Sequence, residues 1–270
     1  MRMLDTARFE DADKYRDYLM TPSGRLRSEL AWENVRRFLP RNISKRRALD
    51  VGGGTGFVSM HLARMGYQVV LVDSSEGMLR VAREQAGAGN AAARISFCHG
   101  DAARLPELFD AESFDVVICH NLLECAENPC AIIRGIGNIL RKDAVLSVLV
   151  RNRAGQVLKD AIKLRDWKLA AANLTAETVV DSLYGEPVRV FSLAEARDLL
   201  AQAKLEVVAE QGVRVFSDFL DLENLADAAY SQIFELEATL GARSEFAAIA
   251  RYIQVIARRS GAPQSEVTGS

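Results

Sequence analysis

Leu49-Asp50-Val51-Gly52-Gly53-Gly54-Thr55-Gly56 decides the reading of this chain. A short apolar strand, residues 48–51, runs into four glycines within five residues, and a helical pattern with Val58, Leu62 and Met65 on one face follows. Only a backbone stripped of Cβ atoms turns that sharply and lets a ligand lie against it. Glycine loops between a strand and a helix cradle nucleotides. The spacing then separates kinds of nucleotide. The dinucleotide fingerprint Gly-x-Gly-x-x-Gly/Ala fails in both frames, because its last position is Phe57 counted from Gly52 and Ser59 counted from Gly54.

Working outward, the next apolar strand, residues 68–72, ends at Asp73. A carboxylate only accepts hydrogen bonds, so at the end of a second strand it suits the two hydroxyls of a ribose. Asp73 also precedes Ser74-Ser75-Glu76, the pattern of a helix N-cap, and one side chain can hold both roles. A second acid, Asp101, stands in His99-Gly100-Asp101-Ala102, just after the strand at 95–98. A glycine loop, a strand-two acid and a later acid, in this order and at these spacings, resemble the class I S-adenosylmethionine-dependent methyltransferases. The resemblance implies that S-adenosyl-L-methionine is the cofactor and that Asp101 meets its adenine amino group.

Composition narrows the class. Hydrophobic residues make up 49% of the 270, ample for a core, and charged residues 26%, ordinary for a soluble protein. A net charge of −2 argues against a surface that coats nucleic acid broadly, though not against a local basic patch. No apolar run approaches a membrane span, and Met1-Arg2-Met3-Leu4-Asp5 is not a signal-peptide core. Cys98, Cys119, Cys125 and Cys130 lack paired zinc-ligand spacing and predict a reducing, cytoplasmic setting. The three histidines, His61, His99 and His120, are dispersed, and no metal is expected.

The periodicity predicts strands over residues 47–51, 68–72, 94–98, 114–119 and 144–151, and helices over 57–65, 76–85 and 129–140. A loose small-residue stretch occupies 86–92. Strands alternating with helices imply an α/β, doubly wound parallel sheet. The first 40 residues read as helical, broken at Ser23-Gly24 and closed by Pro40. After Asn152 a single helix is expected over 156–172, then polar loop. Ser192 and Glu195 form a capping box opening a helix to Ala203. Residues 205–216 are β-rich, 220–240 a long amphipathic helix, and 250–258 a last strand. The expected organisation is a helical lid at 1–40, a cofactor-binding Rossmann-like core at 41–151, and a cap insertion at 152–190. The end of the sheet with a second helical insertion fills 191–260, and 261–270 form a disordered tail. An insertion leaving from the carboxyl ends of the strands reads as a substrate cap.

Cys119-His120-Asn121-Leu122-Leu123-Glu124 follows strand four and lacks the Asn/Asp-Pro-Pro-Tyr/Phe motif of enzymes that methylate amino groups. His120 could touch the cofactor, act as a base, or be a strand-end polar residue. Four further stretches extend the likeness. They are Lys14-Tyr15 with Gly24-Arg25-Leu26-Arg27, His120 to Glu124, Gly212-Val213-Arg214-Val215-Phe216-Ser217-Asp218, and Arg251-Tyr252-Ile253-Gln254-Val255. With them, residues 10–260 resemble the bacterial tRNA 5-carboxymethoxyuridine methyltransferase family, which forms a methyl ester on a wobble uridine. The resemblance implies a cofactor site of Arg27, Gly52, Gly53, Gly54, Gly56, Asp73, Met78, Asp101, Ala102 and His120. Arg153, Arg214 and Arg251 are the candidates to hold a carboxylate substrate, since a guanidinium grips one in a two-pronged fork. The segment leading to Ser192 is less basic than in that family, so an O-methyltransferase acting on a small metabolite stays open.

Overall fold

The computed structural model describes residues 11–43, 45–87, 92–223 and 226–259. Its strands are β1 (Arg47–Val51), β2 (Gln68–Asp73), β3 (Ile95–His99), β4 (Phe114–His120), β5 (Leu140–Arg151), β6 (Thr178–Val180), β7 (Pro187–Arg189), β8 (Leu205–Val213) and β9 (Tyr252–Arg259). Its helices are α1 (Ala12–Met20), α2 (Pro22–Arg36), α3 (Phe57–Met65), α4 (Glu76–Gly87), α5 (Leu105–Leu108), α6 (Pro129–Ile139), α7 (Arg153–Leu158), α8 (Trp167–Asn173), α9 (Leu193–Gln202), α10 (Asp227–Gly241) and α11 (Ser244–Ala247). Seven strands form one sheet in the order β3-β2-β1-β4-β5-β9-β8, and β6 and β7 pair as a separate hairpin. Strands β1 to β5 pair in parallel, as the alternation with helices predicts; β9 lies antiparallel between β5 and β8, which makes the sheet mixed.

The burial of β4 explains the layering. All of its residues up to Cys119 are buried, yet neighbours face opposite ways. Val116 and Ile118 pack with Leu62 of α3 and Leu79 of α4, while Val117 and Cys119 pack with Ile132 and Ile136 of α6. A parallel strand covered by helices on both faces needs such an unbroken apolar run. Strand order reverses between β1 and β4, and a ligand crevice opens at the carboxyl ends of strands at such a point.

Four expectations need correction. Ser23-Gly24 does not break the N-terminal helices; extended Thr21 does, with Pro22 opening α2. A Cβ on Gly24 would lie 2.1 Å from the Tyr18 carbonyl oxygen, so Gly24 is where α1 and α2 cross. The helix at 156–172 is broken into α7, a π-turn at Lys159–Lys163 and α8. Arg165, with φ 55°, turns the chain there, and the buried Asp160 carboxylate accepts from Gln156 Nε2 and Asn173 Nδ2, each at 2.7 Å. The β6–β7 hairpin replaces polar loop. The late helix starts at Asp227 rather than at 220, and a short 3-10 turn at Ser217–Phe219 precedes it. The capping box stands as read, with Ser192 and Glu195 each bonded to the other's backbone N–H. The tail at 261–270, residues 1–10 and most of the small-residue stretch at 86–92 lie outside the described residues. Among the described residues no helix is long and apolar enough to cross a membrane.

Candidate active site

The glycine loop is tied to the second strand. Gly52 and Gly53 donate their N–H groups to the Val72 carbonyl at 2.8 and 3.2 Å. Gly54 donates to Asp73 Oδ2 at 2.9 Å. Gly52 has φ 65°, and a Cβ there would meet Leu122 Cδ1 at 2.9 Å, so a side chain is excluded on both counts. Gly56, at φ 83°, starts α3. Asp50 anchors that helix to β1, its Oδ2 accepting from Ser59 N at 3.1 Å and Ser59 Oγ at 2.8 Å. Burial pushes the Asp50 carboxyl up to about 6 against those two hydrogen bonds.

Asp73 Oδ1 accepts from Ser75 N–H at 2.9 Å, so each carboxylate oxygen takes one of these two loop amides. A carboxylate has about four acceptor sites, and the backbone amides of Gly54, Ser74 and Ser75 do not exhaust them, so the cap role and a ribose contact are compatible, and these residues fit an adenosine group. Asp101 caps the turn at Ala102–Arg104 through Ala103 N–H at 2.8 Å, with Ala102 buried behind it. Met78 is buried against Ala12, Val81 and Tyr15.

Tyr15 joins two halves of the site. Its Cε1 lies 3.5 Å from where a Cβ of Gly54 would be, and its ring lines a cavity of about 250 Å3 beyond the loop. Arg27, buried on α2, donates from Nη2 to the Tyr15 hydroxyl at 3.0 Å and also lines that cavity.

Arginines dominate the cavity wall. Arg27, Arg151 and Arg251 each stand with their guanidinium carbon 5.8 Å from the Tyr252 ring centre. Arg214 pairs with Asp218, Arg251 reaches Asp218 Oδ2 at 3.2 Å, and Arg251 Nη1 donates to Gln156 Oε1 at 2.6 Å. Arg151 pairs with Asp181 at 2.6 Å and stands 3.5 Å from Glu124. With Lys159 and Lys163, six cationic side chains face four carboxylates, the fourth being Glu186. Burial opposes ionisation of the Tyr252 phenol, yet the charges of Arg151, Arg27, Arg251 and Arg214 outweigh it and hold its pKa below the ordinary value. The chamber wall thus carries two more cationic than acidic side chains.

Of the three arginines expected to hold substrate, Arg214 and Arg251 meet here and Arg153 does not. Arg153 points along the surface, paired with Glu195 at 2.9 Å and donating from Nε to the Ala176 carbonyl at 2.8 Å. Its place is taken by Arg151, two residues earlier. On β5, Ser147, Leu149 and Arg151 share one face, but which face meets the chamber is set by the pairing of Arg151 with Tyr252 of β9.

His120 Nε2 lies 2.8 Å from Ser147 Oγ. That oxygen also accepts from Gln254 Nε2 at 3.0 Å. Burial, and after it the Arg27 charge, lower the His120 pKa to about 3. Among the described residues, no group of three or more His, Cys, Asp or Glu could hold a metal ion.

Comparison with known proteins agrees with this geometry. A family model described as a methyltransferase domain matches residues 43–181. A tRNA 5-carboxymethoxyuridine methyltransferase of Escherichia coli (strain K12) is 28% identical over 263 residues, 96% of this chain and 97% of that protein. A ubiquinone biosynthesis O-methyltransferase of Ruegeria pomeroyi is 32% identical over 172 residues, 62% of each chain. Among solved structures, a SAM-dependent methyltransferase from Thermotoga maritima superposes with a TM-score of 0.62 at 17% identity, covering 94% of this chain and 100% of that one.

Proposed function

The chain belongs to the methyltransferase domain family and is an S-adenosylmethionine-dependent methyltransferase; from that premise we propose that it forms a methyl ester on the carboxylate of 5-carboxymethoxyuridine in tRNA. The observation that carries this reading is the cation-rich chamber, in which Arg151, Arg214 and Arg251 gather around Tyr252, next to the glycine loop. The near full-length similarity to the Escherichia coli protein supports the same acceptor.

The cofactor supplies a methyl group already activated on a positively charged sulfur. The residues of the chain then have three tasks. Asp73, Asp101 and the loop at 52–56 would hold the adenosine end, and Arg27 and His120 would meet the cofactor's carboxylate. The arginines of the chamber hold the acceptor carboxylate and align one oxygen with the methyl group, the step that dominates when no proton has to move. Tyr15 and Tyr18 line the chamber from α1. A carboxylate is deprotonated at neutral pH and needs no base. A phenol, at a pKa of about 10, would have to pass its proton to a histidine at about 3, uphill by roughly 10 kcal/mol. This disfavours His120 as a base.

A second reading, a small-molecule O-methyltransferase, is favoured by the net charge of −2 and by the partial similarity to the ubiquinone-pathway enzyme. One experiment separates the two. The enzyme and S-adenosylmethionine are incubated with tRNA carrying 5-carboxymethoxyuridine, and the digested nucleosides are weighed by mass spectrometry. One alkali-labile methyl ester at the wobble nucleoside is expected. Unchanged nucleosides would overturn the tRNA acceptor.

A further inference from the structure

We propose that residues 162–169, a knuckle projecting from the cap beside the chamber, dock the single-stranded loop of an RNA. Trp167 stacks on an unpaired base, and Lys163, Arg165 and Lys168 meet the phosphates around it. The proposal rests on the reading of the acceptor as a nucleotide within RNA.

All eight residues of the knuckle are exposed. Trp167 shows 73% of its surface to solvent, and Ile162 and Leu164 52% each. Large apolar side chains left in water as a contiguous group mark an interaction surface rather than ordinary exposure. Scaffold rigidity argues the same way. Leu164 donates its N–H to the Lys159 carbonyl at 3.1 Å, and Asp166 donates to the Asp160 carbonyl at 3.0 Å. Beneath them the Asp160 side chain is buried and clamped by Gln156 and Asn173. The tryptophan is therefore presented from a braced support, which lowers the ordering cost of binding.

Charge identifies the partner. Lys163, Arg165 and Lys168 make no ion pair with any described residue. The lone acid at the surface of the knuckle, Asp166, is spent on its own helix, accepting from Leu169 N–H at 2.9 Å. Three cations without an ion pair, all within four residues of one exposed tryptophan, on a chain of net charge −2, form a local basic and aromatic stretch. Single-stranded nucleic acid offers what such a stretch takes, exposed base faces with a phosphate on each side. The inner end of the knuckle is continuous with the chamber, because Lys159 and Lys163 line its wall. A nucleotide whose modified base enters the chamber leaves its neighbours over the knuckle.

The test uses the full chain carrying Trp32→Phe, so that Trp167 is the remaining one of the two tryptophans. Its fluorescence is followed while a synthetic anticodon stem–loop with plain uridine at the wobble position is added. Saturable quenching is expected. Trp167→Ala should weaken binding, measured by a labelled RNA, by roughly 5- to 150-fold, and Trp167→Phe should restore most of it. Arg165→Gln and Lys168→Gln should each flatten the dependence of log K on log salt by about 0.7. With the modified stem–loop, Trp167→Ala should raise KM and leave kcat and cofactor affinity as they were. An RNA affinity unchanged by Trp167→Ala, or quenching by anionic lipid vesicles and not by RNA, overturns the proposal. Quenching of Trp167 by both stem–loops, with no methyl transfer to the one carrying 5-carboxymethoxyuridine, supports the docking surface and defeats the acceptor reading. Methylation at an unchanged KM in Trp167→Ala does the reverse.

Discussion

Arg251 donates its backbone N–H to the carbonyl of Arg214 at 2.8 Å, and the two guanidinium groups converge on one carboxylate, Asp218. Both arginines are buried, so Asp218 is the countercharge for the pair. Asp218→Asn keeps the shape and removes that charge. It should destabilise the protein by about 3–5 kcal/mol, the cost of leaving buried charge uncompensated, and lower Tm by on the order of 10 °C in a thermal melt. An unchanged Tm would show that the chamber tolerates the bare cations.

Asp73→Ala removes the acceptor offered to two ribose hydroxyls and loosens the Gly54 and Ser75 amides that the carboxylate now holds. Calorimetric titration with S-adenosylmethionine should show a loss of about 2–4 kcal/mol, roughly 30- to 1000-fold in Kd. Equal affinity would remove Asp73 from the cofactor site.

The rate of methyl transfer should not follow a histidine titration. Single-turnover transfer at saturating cofactor should be flat from about pH 6 to 9, where a base of ordinary histidine pKa would titrate. Arg214→Ala or Arg251→Ala should lower that rate far more than His120→Gln. A steep rise with pH that vanishes in His120→Gln would move the acceptor to a phenol or amine.

Two groups near the loop pull acid stability in opposite directions. The native Asp50 carboxyl, at about 6 against an ordinary 3.8, keeps its proton when the unfolded chain has lost it. Its contribution is present below the ordinary value and is lost as pH rises through 6. The native His120, at about 3 against 6.5, resists a proton that the unfolded chain takes up, so its contribution is present above 6.5 and is lost as pH falls toward 3. Between about pH 4 and 6 the two slopes, each near 1.4 kcal/mol per pH unit, oppose one another. Urea melts should therefore show Asp50→Asn losing stability more steeply than wild type on acidification through that window, and His120→Gln gaining it. Parallel curves for all three proteins would refute both assignments.

The strand, glycine loop and two acids of the candidate cofactor side were legible as one unit because they are local. A strand, a glycine turn and an acid at each following strand end lie within about fifty residues, and their spacing alone places them together on one rim. The acceptor side depends on which way a strand faces and on what returns to it from far along the chain. Arg151 and Arg153 differ by two residues, and only the pairing of Arg151 with Tyr252 across β5 and β9 points the former inward. The break at Arg165 was hidden for a similar reason, since it rests on Asp160 being clamped by Asn173, thirteen residues on. The three-residue strands of the hairpin carry too short an alternation to stand out from loop.

Where Asn152 leaves β5, its side chain donates to the carbonyls of Ala248 and Ala250, 96 and 98 residues further on. That stitch sets an order of construction. During synthesis the glycine loop and both acids emerge early and can fold from neighbouring pieces, whereas Arg214 and Arg251 follow more than a hundred residues after Asp101. Closing a loop of roughly a hundred residues is the slow, entropically demanding search in such a topology. The chamber wall therefore cannot close before β9 has been made and has entered the sheet between β5 and β8, long after the glycine loop and its two acids.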